Sequence, residues 1–250
     1  MLRSTRDIVG YELIAKDGAI GRCKDFLFDD REWKIRHMVG DTTRWLPGRK
    51  VLIPPETLGN PDWDERRFPV KLTKSEIKDS PPLKDNEPVS RKYEKELFRH
   101  HGWAFYWTGA GPWSRRVGGT TDPAQKNPLQ EEIRRAESRG PNLHSEREVI
   151  GYRVLAADRA VGKIVNFIVD DETWAIRYAV VDTGSWLHGR SVLVAPTWLT
   201  STDWVSREVH TNLQSKDVEG SPPYDPSAPV NRAYETALYD YYGRPVDWRK

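Results

Sequence analysis

A chain of 250 residues fits two domains of ordinary size better than one, and 37% hydrophobic content is low for a single continuous core. Trp 11, Tyr 10 and Phe 6 are nonetheless too costly to leave in water, so the chain is expected to fold around a few large side chains. Lys+Arg 39 against Asp+Glu 37 leaves +2, too weak a field to capture nucleic acid, and the single Cys23 excludes a disulfide framework.

In chain order, Tyr11–Ala15 is a short strand, Asp17-Gly18 a turn, and Ile20–Phe28 a second strand. The turn Asp29-Asp30-Arg31-Glu32 leads into Trp33–Asp41, where Ile35, His37 and Val39 share one face of a strand and Arg36, Met38 and Gly40 the other. Trp45-Leu-Pro-Gly-Arg49 places Pro and Gly at the centre of a type II turn, and Lys50–Ile53 and Phe68–Leu72 complete the strands. Thr73-Lys-Ser-Glu76 predicts a capping box on a single helical turn. Pro88–His101 predicts a helix capped by Ser90, and by Asn231 in the second copy, with Tyr93 and Leu97 on its apolar face. Short strands packed so closely leave exposed edges unless they close, so a small closed or nearly closed barrel is expected, with the helix over one mouth. Residues 108–142 read as a Gly/Pro/Thr-punctuated linker, with two helical turns at Leu129–Ala136.

The same pattern then recurs. At an offset of 141, residues 2–107 align with 143–248 without a gap, and about forty pairs are identical. They include Gly10/Gly151, Tyr11/Tyr152, Gly21/Gly162, Phe26/Phe167, Trp33/Trp174, Trp45/Trp186, Trp63/Trp204 and Trp107/Trp248. A repeat of this length is a domain rather than a solenoid unit. The expected organisation is a first repeat at 1–107, a linker at 108–142 and a second repeat at 143–250, their charges being +3 and -3 on either side of the linker. The fold class expected is mainly β: two small barrels in tandem, each followed by a short helical extension.

The chemistry-bearing residues have structural readings. Asp29-Asp30 and Asp170-Asp171 sit at matched turns, where Asp accepts backbone N–H bonds. Asp41 with Arg49, and Asp182 with Arg190, read as charged pairs that fix a loop. His37, His100 and His101 become Tyr178, Tyr241 and Tyr242 in the second copy, which fits packing better than metal ligation, and Cys23 aligns with Ile164 as a small buried apolar group. No phosphate loop, nucleophile elbow or His-Glu-x-x-His motif occurs, so neither catalysis nor a metal or cofactor is expected. The candidate interaction surface consists of Trp45, Arg49, Trp186 and Arg190 on matched loops, with Trp103 and Tyr106 in the aromatic run after the first helix. That run is a candidate docking surface between the repeats, which would make the chain an intramolecular pseudo-dimer.

The runs Asp-Gly-x-Ile-Gly, Phe-x-Phe-Asp-Asp, Trp-x-Ile-Arg and Trp-Leu-Pro-Gly-Arg-x-Val-Leu-Ile resemble the PRC-barrel in tandem form. The resemblance implies kinship with the cytoplasmic domain of the photosynthetic reaction-centre H subunit and with the C-terminal domain of a ribosome maturation factor, neither of them an enzyme. The expected function is therefore non-catalytic: an adaptor that presents barrel rims, loops and helices to a protein partner. One alternative is an accessory role at a photosynthetic or other membrane electron-transfer complex, by peripheral association. Another is RNA or ribosome binding through Arg44, Arg49, Lys50, Arg66 and Arg67, against which the charge balance argues. Met1–Gly18 lacks the apolar core of a signal peptide and no stretch approaches the ~18 apolar residues of a membrane span, so a cytoplasmic location is expected.

Overall fold

The computed structural model describes residues 1–43, 45–46, 49–81, 83, 89–108, 143–184 and 190–246. The linker and its helix at Leu129–Ala136 lie outside these residues. The chain forms two mixed sheets. The first half supplies β1 (Leu2–Ser4), β2 (Glu12–Ala15), β3 (Gly18–Asp29), β4 (Lys34–Asp41), β5 (Lys50–Ile53) and β6 (Arg67–Pro69). The second supplies β7 (Leu143–Ser145), β8 (Arg153–Leu155), β9 (Ala160–Asp170), β10 (Ile176–Asp182), β11 (Ser191–Val194), β12 (Leu199–Asp203) and β13 (Glu208–Thr211). Helices are α1 (Thr5–Ile8), α2 (Lys74–Asp79) and α3 (Arg91–His101), then α4 (Glu146–Val149), α5 (Ser215–Gly220) and α6 (Arg232–Tyr241).

The sheets run β5-β4-β3-β2-β6 and β11-β10-β9-β8-β13-β12, with parallel pairs β2·β6 and β8·β13 inside otherwise antiparallel ladders. They are not closed barrels. In the first half, β5 and β6 are separate edges: β5 is only four residues long and stops at Pro54-Pro55, which have no N–H to continue a ladder. The segment that follows β5 reaches β6 through isolated bridges, Leu58 to Val70 and Asp62 to Arg67. Gly21 and Gly162 allow β3 and β9 to pass the ends of β4 and β10; a Cβ there would lie 1.8 Å from the Asp41 carbonyl oxygen and 2.1 Å from that of Asp182.

The two halves are joined by a reciprocal exchange of their first strands. β1 pairs antiparallel with β9, Leu2 opposite Asp170 and Ser4 opposite Ile168. β7 pairs with β3 in the equivalent register, Leu143 opposite Asp29 and Ser145 opposite Leu27. The approximate two-fold axis passes between Trp33 and Trp174, both held at positive φ (49° and 59°). Their carbonyls accept from the opposite half, Ile176 N–H to Trp33 at 2.7 Å and Ile35 N–H to Trp174 at 2.9 Å. These bonds hold two non-glycine residues in a sparsely populated conformation.

One apolar core spans the junction. Phe26 and Phe28 from β3 and Phe68 from β6 meet Phe167 and Trp174 of the second half at centroid distances of 5.7–6.1 Å. At ~2–3 kcal/mol for each fully buried large side chain, this shared core is a major part of what holds both sheets. Strand alternation sends Leu27, Val39 and Leu52 to the opposite face, where Leu97 and Phe98 of α3 cover them. The helix therefore lies on the outer face of its sheet rather than over a barrel mouth. The predicted caps are present: Thr73 and Glu76 form the capping box, and Ser90 and Asn231 accept from Tyr93 N–H and Tyr234 N–H.

Because sheet bonds as well as side chains cross the junction, cutting an engineered protease site inserted within 109–142 is expected to leave the halves as a one-to-one complex in gel filtration. Two separate species at native pH would contradict the exchange.

Candidate functional site

Three sets of polar groups are brought together, and sequence pattern alone pointed to none of them. The first lies beneath α3. Glu94 is fully buried, and its Oε1 lies 3.0 Å from His37 Nε2 and accepts the Tyr106 hydroxyl at 3.0 Å. Its Oε2 accepts from Arg91 at 2.8 Å. The second half repeats this with Glu235, which accepts from Tyr178 OH at 2.8 Å and Arg232 at 3.3 Å. The His37-to-Tyr178 exchange thus conserves a hydrogen-bond partner for a buried carboxylate, which burial makes obligatory. A bulge arranges the sheet side of the site: Leu27 pairs with His37 and Phe28 with Ile35, so Arg36 is the extra residue, and Arg177 is its counterpart in β10. Strict alternation therefore fails in β4. Ile35 joins the shared core, while Arg36 places its guanidinium 4.2 Å from the Tyr106 ring centre.

The second set lies where the exchanged strands meet. The Thr5 hydroxyl contacts Glu146 Oε1, Asn166 Oδ1 at 3.0 Å and the Phe167 carbonyl at 3.3 Å. Asn166 donates to Ser4 at 2.8 Å, and its counterpart Asp25 accepts from Ser145 at 2.5 Å and Arg147 N–H at 3.2 Å. The Thr5 hydroxyl has one hydrogen to give and three acceptor oxygens within reach, so the cluster is short of hydrogens when Glu146 is ionised. Burial pushes the Glu146 pKa up to about 8; the Thr5 hydrogen bond opposes the rise and the Asp25 carboxylate adds to it. Burial also raises Asp25, and it raises the Cys23 thiol with help from Glu146 and Asp25. Across the same junction, Arg3 reaches Asp171 at 3.3 Å and sits 4.0 Å over Trp63, while His144 lies 3.3 Å from Asp30 and stacks on Trp204.

The third is a groove of ≈ 500 Å³ at the junction, lined by Asp30–Trp33 of the first half with Ala175–Arg177, Leu199–Thr202 and Trp204 of the second. Its β12 wall is a sheet edge, and Asp30 Oδ1 is buried there with no hydrogen-bond partner.

The sequence-predicted residues fall as follows. Trp45 is half-buried and donates its indole N–H to Ile20 O at 2.6 Å. Arg49 donates to the carbonyls of Lys78 and Ser80, and Arg190 to that of Ser221, tying each loop to the end of α2 or α5. Asp41 does not pair with Arg49. It accepts from Thr43 and from Lys24 at 3.1 Å, and the Thr43 hydroxyl and N–H lead in lowering its pKa to about 2. Trp186 and Arg44 lie outside the described residues. Trp103 stacks on His101 at 4.1 Å, and Tyr106 joins the Glu94 site, so the aromatic run folds onto its own helix and the halves meet elsewhere. Asp29 and Asp170 cap their turns through backbone N–H groups. Arg67 pairs with Glu12 and Glu65, and Arg66 lies over Tyr11. Among the described residues, no group of three or more His, Cys, Asp and Glu could hold a metal ion, and no helix is long and apolar enough to cross a membrane. Glu94 and Glu235 had one sequence signal, the Arg-x-Tyr-Glu register kept in both copies as Arg91-x-Tyr93-Glu94 and Arg232-x-Tyr234-Glu235.

Glu146 binds a proton in the folded state up to about pH 8 and, when unfolded, only below its ordinary value of 4.5. Between those values the folded state holds more protons, so the contribution of Glu146 is fullest at low pH and is lost as pH rises, by roughly 1 kcal/mol per pH unit. Urea denaturation across pH 5–9 should show this decline, and Glu146→Gln should flatten it and raise stability above pH 8. An unchanged profile in that variant would contradict a protonated Glu146.

A PRC-barrel domain is found at residues 141–208, which run from just before β7 to the start of β13. Compared with curated proteins, the chain has no match.

Proposed function

We propose that both halves are PRC-barrel-type domains and that the chain is a non-catalytic adaptor, a covalent pseudo-dimer whose business is binding another protein. The first half supports this by repeating features of the second, including the bulge, the exchanged strand and the buried glutamate. The observation that carries the reading is the junction groove. It exists only when the halves are together, it has tryptophan in both walls, and one wall is a sheet edge with main-chain groups to offer an extended segment. The ionisable groups that would serve catalysis are spent on internal bonds: Glu94 and Glu235 on the helices, Glu146 on the strand exchange. The basic residues that would serve RNA are likewise engaged, Arg49 with carbonyls and Arg67 with carboxylates, which favours a protein partner.

A photo-crosslinking amino acid at Thr200, on the groove wall, is expected to trap a discrete protein in the native cell, whereas the same group at exposed Lys216 traps none. Labelled RNA, or equal products from both positions, would contradict the reading.

A further inference from the structure

Two carboxylates approach one another across the junction, and each belongs to a different half: Glu146 opens α4 and Asp25 lies on β3. Glu146 is 4% exposed. It contacts the Thr5 hydroxyl, whose single hydrogen also has the Asn166 and Phe167 oxygens within reach. Asn166 is committed elsewhere: its Oδ1 accepts from Arg6 N–H at 3.2 Å and its amide nitrogen is turned to Ser4 at 2.8 Å. Glu94 and Glu235 each have an arginine of their own helix at 2.8 and 3.3 Å. The cation that faces Glu146 is Arg6, whose guanidinium reaches instead to Val165 O at 2.7 Å in an exposed position. The other titratable and charged groups facing the pair are the Cys23 thiol on β3 and Arg147 on α4. Ionised together, Glu146 and Asp25 set like charges on opposite halves, so their repulsion acts across the junction and not within either half.

We propose that this cluster is a proton-operated latch on the strand exchange: a proton on Glu146 keeps β1 and β7 in the opposite sheets, and its loss raises the fraction of molecules in which they have left. The geometry permits such a local opening, because β5-β4-β3-β2-β6 and β11-β10-β9-β8-β13-β12 are continuous ladders without β1 or β7. Burial pushes the Glu146 pKa up to about 8 in the latched state, whereas in the open state the carboxyl titrates at its ordinary 4.5. Between those values the latched state holds the extra proton, so the open fraction rises about tenfold per pH unit and levels off above about pH 8. The inference goes beyond the adaptor reading. One link between them rests on that reading: His144 on β7 touches both Asp30 and Trp204 of the junction groove, so release of β7 would free two residues of its lining.

The test is hydrogen exchange on the full chain, followed by mass spectrometry, with each rate divided by the intrinsic rate at that pH. Protection in β1–α1 and β7–α4, which include the Arg6 and Arg147 N–H groups bonded across the junction, is expected to lie at least about tenfold below that of β4 and β10. It should fall about tenfold per pH unit from about pH 5.5 to 7.5 and level off above about 8. Glu146→Gln should abolish that slope. Asp25→Asn, which copies Asn166 at the matched position, should raise protection at pH 8 several-fold and keeps the test decisive if the Glu146 variant does not fold. Equal protection in the exchanged segments and in β4 and β10 would overturn the proposal, because opening would then be global unfolding. So would a slope that is absent or that survives in Glu146→Gln, or an Asp25→Asn variant no better protected than the parent. None of these outcomes bears on crosslinking at Thr200.

Discussion

The three-residue strands β1 and β7 are the constraint on which the rest depends. Each lies in the sheet built by the other half, so neither sheet has its full set of strands without the other half. A strand this short contributes little as a free segment; it is held because α1 and α4 follow it directly and because Thr5 and Glu146, the first residues of those helices, meet at the axis. Main-chain bonding through the two tryptophan carbonyls and aromatic packing around Phe28, Phe167 and Trp174 then act on a junction already in register.

That arrangement places polar groups where water is excluded, and the buried glutamates are each matched to partners. Glu146 is accommodated by keeping its proton, whereas Glu94 and Glu235 are accommodated by arginine together with His37 or Tyr178. A buried carboxylate with two or three partners fixes the helix to the sheet at one position, since any slide of α3 along β4 would strand it. The halves keep this frame, and in the first half Tyr106 and Trp107 lie over it.

Local features were legible in the sequence because their physics is local. The capping box at Thr73 and Glu76, the caps at Ser90 and Asn231 and the Asp29 and Asp170 turns need only a few neighbouring residues to declare themselves. The exchange was not legible. Leu-x-Ser opens both copies, so a strand pairing with its own half and one pairing with the other half have nearly the same sequence. The bulge at Arg36 and Arg177 was hidden by an apparent alternation that assigned Ile35 to the face of His37 and Val39. Closure was over-predicted for a related reason: strand content was readable, but the prolines after β5 interrupt the ladder where it would have had to close.

Cross-strand disulfide formation distinguishes the two pairings most directly, since facing residues in an antiparallel pair bring Cα atoms to ~4.5–5.5 Å, within reach of a disulfide. In a Cys23→Ala background, Leu2→Cys with Asp170→Cys should oxidise readily and Leu2→Cys with Asp29→Cys should remain reduced. The opposite result would mean that each half keeps its own first strand, and the account of a joined pair would fall.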